Sequence, residues 1–309
     1  MQTQTMFEKY GPVNASDQLR KLAEIDKRYG NTPEDFVLLK AGVDDLAGEE
    51  KFWAQHFLGQ NLAFVQSQVG DARPLFEAGR TGPLVIQMLS VNNLAILADM
   101  EGAENAVQLF DEAAALAEQL SDQDGKNMIL SNRIQYHVAR DQYESISSIQ
   151  FVDGKNFRAW ELNHSIMNSR VEAFKYGVGS IEQVPAMFET LRQQYKALLP
   201  EFNDAQRFRA AYLIGMRQLE WACLTTSQGY QATITEYTTF LEAYKVNPPM
   251  HASGLMEMLD MLCTYSLAPK GIREQWADVV KKAVIDAGAE FYITIIDDKL
   301  AKAGKTEGD

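Results

Sequence analysis

The chain has 309 residues, of which 46% are hydrophobic and 23% charged, and its 9 prolines leave room for long helices, a balance that excludes extensive disorder away from the ends. Its 42 acidic residues against 29 basic ones give a formal charge of −13, which repels a phosphate backbone and sets nucleic acid aside as a partner. No apolar run approaches the ~20 residues that span a bilayer. The opening MQTQTMFEKYGPVNASD lacks the basic flank and apolar core of a signal peptide, and two cysteines, Cys223 and Cys263, are too few for a disulfide framework. A cytoplasmic protein with buried thiols and no membrane contact is the expectation.

Residues 1–15 read as a flexible lead-in, 16–303 as one helical domain and 304–309 as a flexible tail. A first helix is expected from Asp17 to Tyr29, followed by Gly30. Thr32-Pro33-Glu34-Asp35 has the form of an N-cap with proline in the first turn, after which Phe36, Leu39 and Val43 continue an apolar face. Lys51 to Val69 forms the next helix, with a short partner ending at Gly79 and Gly82. Pro83 opens a long helix that reaches Gly102, and Ala106, Phe110 and Ala113 then recur at helical spacing.

Further helices are expected over Gly125–Ile149, Phe157–Tyr176, Ile181–Leu198, Asp204–Ser227 and Tyr230–Tyr244, with Phe151-Val152-Asp153-Gly154 a connection. Asn247-Pro248-Pro249 breaks the pattern. Beyond it come Leu255–Leu267, Gln275–Ala287 and Glu290–Lys302. Within the last of these, Phe291 to Ile296 suits a strand by propensity, but in a helical chain without a partner strand it is read as helix.

Four times an apolar-Ala pair is followed by six residues and a glycine: Leu22-Ala23 to Gly30, Leu62-Ala63 to Gly70, Leu94-Ala95 to Gly102, and Trp221-Ala222 to Gly229. The stretch Asn92-Asn93-Leu94-Ala95 to Gly102, with Ala106, Phe110 and Ala113 following, resembles the tetratricopeptide repeat family. The resemblance is best over Lys51 to Gln119. It implies an all-α fold of stacked helical hairpins, a somewhat irregular α-solenoid closed by a C-terminal capping pair. It also implies non-catalytic recognition of a protein or peptide segment on a concave face. On that face Asn61, Asn92 and Asn93 would hold a bound peptide's backbone, because an amide offers both donor and acceptor. Arg133, Arg170, Arg209 and Arg217, on later first helices, would meet a carboxylate bidentately.

The competing chemistry is a metal or catalytic face. Glu161-Leu162-Asn163-His164 places a carboxylate and an imidazole on one side of a helix. A carboxylate-bridged di-metal bundle needs two such steps, and the four histidines supply one. No nucleophile elbow, phosphate-binding glycine loop or Cys-x-x-Cys is present. The expectation is therefore no enzyme, no metal and no cofactor, with a structural subunit of a larger assembly as a further alternative. The Met-rich run around Met256 and Leu259 suggests a homodimer through the C-terminal helices, on condition that these two residues are exposed.

Overall fold

The helix ends follow from local chemistry. The Thr32 hydroxyl accepts the Asp35 N–H at 3.1 Å and the Asp35 carboxylate accepts the Thr32 N–H at 3.4 Å, a reciprocal cap with Pro33 in the first turn. The Asn156 side chain accepts the Ala159 N–H at 2.9 Å, and that of Asn247 accepts the Met250 N–H at 3.2 Å. The Asn247-Pro248-Pro249 run, expected only as a break, thus also starts a helix, since the first turn has no use for the N–H that proline lacks.

The computed structural model describes residues 5–27, 32–66, 68–178, 181–226, 228–265, 267–290 and 292–305. Among them it is all-helical, without a strand, and no helix is long and apolar enough to cross a membrane. The helices are α1 Met6–Tyr10, α2 Asp17–Lys27, α3 Pro33–Asp45, α4 Gly48–Gln60, α5 Val69–Gly79, α6 Leu84–Met100, α7 Ala106–Gln119, α8 Gln123–Val138 and α9 Phe157–Lys175. They continue with α10 Val184–Leu198, α11 Asp204–Thr226, α12 Tyr230–Leu241, α13 Pro248–Thr264, α14 Lys270–Asp286 and α15 Tyr292–Lys305. Residues 292–296, left between strand and helix by propensity, are helical.

Two compact units divide the chain, Met1–Ala210 and Ala211–Asp309. In the first, helices adjacent in sequence pack on one another from α3 through α10. The core gathers Trp53 and Phe57 of α4, Phe76 of α5, Phe110 of α7 and the nearly all-round buried α6. A smaller cluster joins Ile134, Ile146, Leu162 and Ile166. In the second unit α13 packs with α12, α14 and α15, and Leu255, Met258, Leu259, Met261 and Leu262 are its core. Leu259 is fully buried and Met256 half-buried, so the condition attached to a dimer through this helix is not met. Both cysteines are buried free thiols, and burial pushes each up to about 11.

Several local expectations are corrected. The segment expected to be a flexible lead-in carries α1, whose Phe7 meets Trp53 edge-on at 5.2 Å and whose Lys9 pairs with the buried Asp122 at 2.7 Å. Of the three hinge glycines among the described residues, only Gly102 has the positive φ (+70°) of a turn between packed helices, joining α6 to α7. Gly70 lies inside the first turn of α5, Gly229 is the N-cap of α12, and Gly30 lies outside the described residues. The helix expected to run on to Val69 stops at Gln60 and closes with a π turn over Asn61–Val65, in which the Gln66 N–H bonds back to Asn61.

His56 on α4 sits among Trp53, Phe57 and Phe76, and its Nδ1 has no hydrogen-bond partner among the described residues. Burial lowers its pKa to about 4. A histidine held neutral in the fold and titrating near 6.5 when unfolded adds no penalty above 6.5. Its contribution is lost progressively as pH falls from there toward 4. Between pH 7 and pH 5 this one group should remove about 2 kcal/mol of stability. Urea unfolding at the two pH values is expected to show that loss in the wild type, and His56→Phe to flatten it. An equal loss in both proteins would remove His56 as the cause.

Candidate functional site

The three asparagines expected to face a ligand lie in the interior, Asn61 at 6%, Asn92 at 3% and Asn93 at 3% exposure. The physical reason is that α6 is covered on every side, so residues next to the Leu94-Ala95 packing pair are enclosed with it. Asn92 accepts a hydrogen bond from Asn132 of α8 at 3.1 Å, tying two helices of the first unit together. These side chains serve packing in this fold.

The arginines are likewise engaged. Arg209 pairs with Glu161 at 2.9 Å, and Arg217, buried in the second unit, pairs with Glu220 and with Glu257, the latter at 3.0 Å. Arg170 donates to three backbone carbonyls, those of Ser147 at 2.6 Å, Ile149 at 2.9 Å and Ile146 at 3.2 Å. Arg133 is the exception. Its Nη1 meets Asp111 at 2.7 Å across a half-exposed surface, while Nε and Nη2 have no partner among the described residues. An exposed pair of this kind contributes roughly 0–1 kcal/mol and is readily exchanged for another carboxylate.

Arg133 lines a cavity of about 210 Å³ together with Leu130, Ile134 and His137 of α8 and Ser145, Ile146 and Ile149 of the connection after it. Its lining combines the aliphatic side chains of Leu130, Ile134, Ile146 and Ile149 with a guanidinium, an imidazole and a hydroxyl. His137 Nδ1 lies 2.9 Å from Gln142 Oε1, and Tyr143, which starts the 3₁₀ turn Tyr143–Ile146, stacks on Tyr176 at 5.8 Å. Arg170 secures the wall from behind through its three carbonyl contacts.

Beside the cavity runs the feature that sequence reading missed. Asn163 of α9, fully buried, accepts the Val152 N–H with Oδ1 at 2.8 Å and donates from Nδ2 to the Val152 carbonyl at 2.8 Å. The same Nδ2 also donates to Gln194 Oε1 of α10 at 3.1 Å. One side-chain amide thus gives an extended backbone both bonds that a neighbouring strand would give. This is the grip expected of Asn92 and Asn93, found on a different helix and closed on the chain itself. The available signal was an asparagine in the interior of a helix beside Leu162 and Ile166, where it is a poor helix former unless it has a buried partner.

The Glu161–His164 pair is absorbed by packing. Burial alone would raise the Glu161 carboxyl, but Arg209 and Arg158 outweigh it and hold the group below the usual carboxylate range. His164 stacks on Trp160 at 5.9 Å, and Trp160 donates to the Leu191 carbonyl at 3.2 Å. Among the described residues no third His, Cys, Asp or Glu ligand atom joins Glu161 and His164 within reach of one ion.

Comparison with protein-family models, with curated proteins and with solved structures gives no match.

Removing the amide leaves the Val152 N–H and carbonyl without their partner. Asn163→Ala is expected to cost about 2 kcal/mol, in the range for unmade buried hydrogen bonds. Thermal melts of the variant and of Asn132→Ala as a half-buried control check this. A loss no larger than that of the control would mean that the Val152 pairing contributes little.

Proposed function

We propose that the protein is a non-catalytic recognition module, an irregular tetratricopeptide-like helical array that binds a segment of a protein or peptide partner. The observation that carries this reading is the Arg133 cavity, where a partly exposed guanidinium with donors not used by the chain shares the lining with aliphatic side chains. Such a site suits a short side chain ending in a carboxylate, or an acidic residue next to an aliphatic one. The packing of sequence-adjacent helices in the first unit, and the α6–α7 hairpin turning at Gly102, support the repeat reading. The acidic excess of the chain argues against nucleic acid and anionic membrane surfaces as partners. No arrangement of nucleophile, base and orienting group at Glu161 and His164 favours a catalytic alternative.

A displayed random-peptide library selected on the folded chain tests the reading. Selected sequences should converge on an aspartate or glutamate next to an aliphatic residue. Arg133→Ala should weaken them at least tenfold, about 1.4 kcal/mol. Arg73→Ala, which removes a surface pair with Glu101, should change affinity less than twofold. Absence of convergence, or equal affinity with Arg133→Ala, would argue against recognition at this cavity.

A further inference from the structure

Helix α8 ends where the chain doubles back on it. The Gln142 N–H returns to the His137 carbonyl at 2.9 Å, and Asp141, at a φ of +56°, takes the left-handed conformation that aspartate tolerates better than most residues. The Tyr143 hydroxyl donates to the Asp141 carboxylate at 3.2 Å, and Arg170 of α9 holds the carbonyls of Ile146, Ser147 and Ile149. The turn is held at both of its ends, and with them one wall of the Arg133 cavity.

Polar groups of that lining have bonding capacity left. Arg133 gives Nη1 to Asp111, which leaves Nε and Nη2, the edge whose parallel N–H groups match the two oxygens of a carboxylate. His137 is 7% exposed, and its Nδ1 lies 2.9 Å from Gln142 Oε1, an atom that only accepts. The proton therefore sits on Nδ1, and Nε2, without a partner among the described residues, presents a lone pair. A carboxylate suits the first group and a hydroxyl donor the second. The rest of the lining, apart from Ser145, is aliphatic, and its size limits what enters. At about 210 Å³ the cavity exceeds the about 150 Å³ that takes one benzene and falls below the roughly 300 Å³ at which pockets for drug-sized ligands begin.

We infer that the Arg133 cavity binds a short aliphatic hydroxy acid as a free small molecule. Its carboxylate lies on the Nε–Nη2 edge of Arg133, its hydroxyl donates to His137 Nε2, and its hydrocarbon part meets Leu130, Ile134, Ile146 and Ile149. The inference goes beyond recognition of a partner segment, because the whole ligand sits in the cavity, whereas a peptide enters with the end of one side chain. Both use the same guanidinium edge. On the recognition reading, which this last step rests on, the free acid therefore displaces the partner.

The test titrates the full chain, its isoleucine and leucine methyl groups isotope-labelled for NMR, with 2-hydroxyisovalerate, 3-hydroxyisovalerate and isovalerate. At least one hydroxy acid should saturate with a Kd of about 1 mM or tighter, at least fivefold below that of isovalerate. The largest shifts should fall on Ile134, Ile146 and Ile149. The carboxamide of the same compound should bind at least tenfold more weakly, and so should the acid to Arg133→Gln. Arg133 is half-exposed, and an unchanged helical circular-dichroism signal checks that this variant is folded. Shifts centred elsewhere, no saturation by about 10 mM, or a carboxamide or an isovalerate that binds as tightly as the hydroxy acids overturns the inference. Library peptides that converge and depend on Arg133 while all the acids stay silent would sink it and keep the recognition reading. A saturable hydroxy acid with no convergence of peptides would do the reverse.

Discussion

Helix α9 is buried on nearly all sides, 16 of its 19 residues, although half of its length is polar. That combination constrains everything around it, because each polar group left unpaired in such a place costs about 1–3 kcal/mol. Most of these groups are answered, some by neighbouring elements and some within the helix, while Asn168 Oδ1 has no partner among the described residues. Arg158 and Arg209 converge on Glu161, Ser131 meets Ser165 at 2.6 Å, Ser169 bonds back to the Ile166 carbonyl at 2.7 Å, and Glu172 meets Lys175 at 3.0 Å. Asn163 finds its partner in a loop, and this recruits the 150–155 segment into the fold. Val152 is available to it because an amide that pairs with both groups of one residue can do so only where that backbone has no helical bonds of its own.

The same constraint shapes the neighbouring cavity. Asn163 and Arg170 fix the chain at Val152 and at residues 146–149, and the latter segment contributes Ile146 and Ile149 to the lining of the cavity of about 210 Å³ beside Arg133. The contacts that fold this connection thus also shape the cavity beside it.

The helical type and the order of the helices after α1 were legible because apolar residues at three- and four-residue spacing and the Thr32 and Pro83 boundaries are local signals. Where expectation and structure part, a tertiary effect intervenes. Gly70 has the spacing of a hinge, yet the chain turns earlier through the π turn at Asn61–Val65, which a spacing rule cannot register. Phe7 and Lys9 gave the first residues no helical periodicity to speak of, and their order comes from Trp53, Phe57 and Asp122, which lie far away in sequence. Asn92 and Asn93 were placed on a surface by resemblance, but the burial of α6 depends on what packs around it. Among the candidate residues, the arginines were read as ligands, and the structure instead ties Arg170, Arg209 and Arg217 to carbonyls or carboxylates of the chain itself, while Arg133 makes one exposed pair with Asp111. Asn163 went unnoticed between Glu161 and His164, since its role is visible only once Val152, eleven residues earlier, is brought against it.

The central claim is that one buried side-chain amide takes the place of a strand neighbour for Val152. Scalar coupling across hydrogen bonds, measured by NMR on isotope-labelled, deuterated protein, reads this contact directly. The account predicts a resolved coupling between the amide nitrogen of Val152 and the side-chain carbonyl carbon of Asn163. A spectrum that resolves the backbone couplings within α9 but shows none between these two nuclei would contradict it.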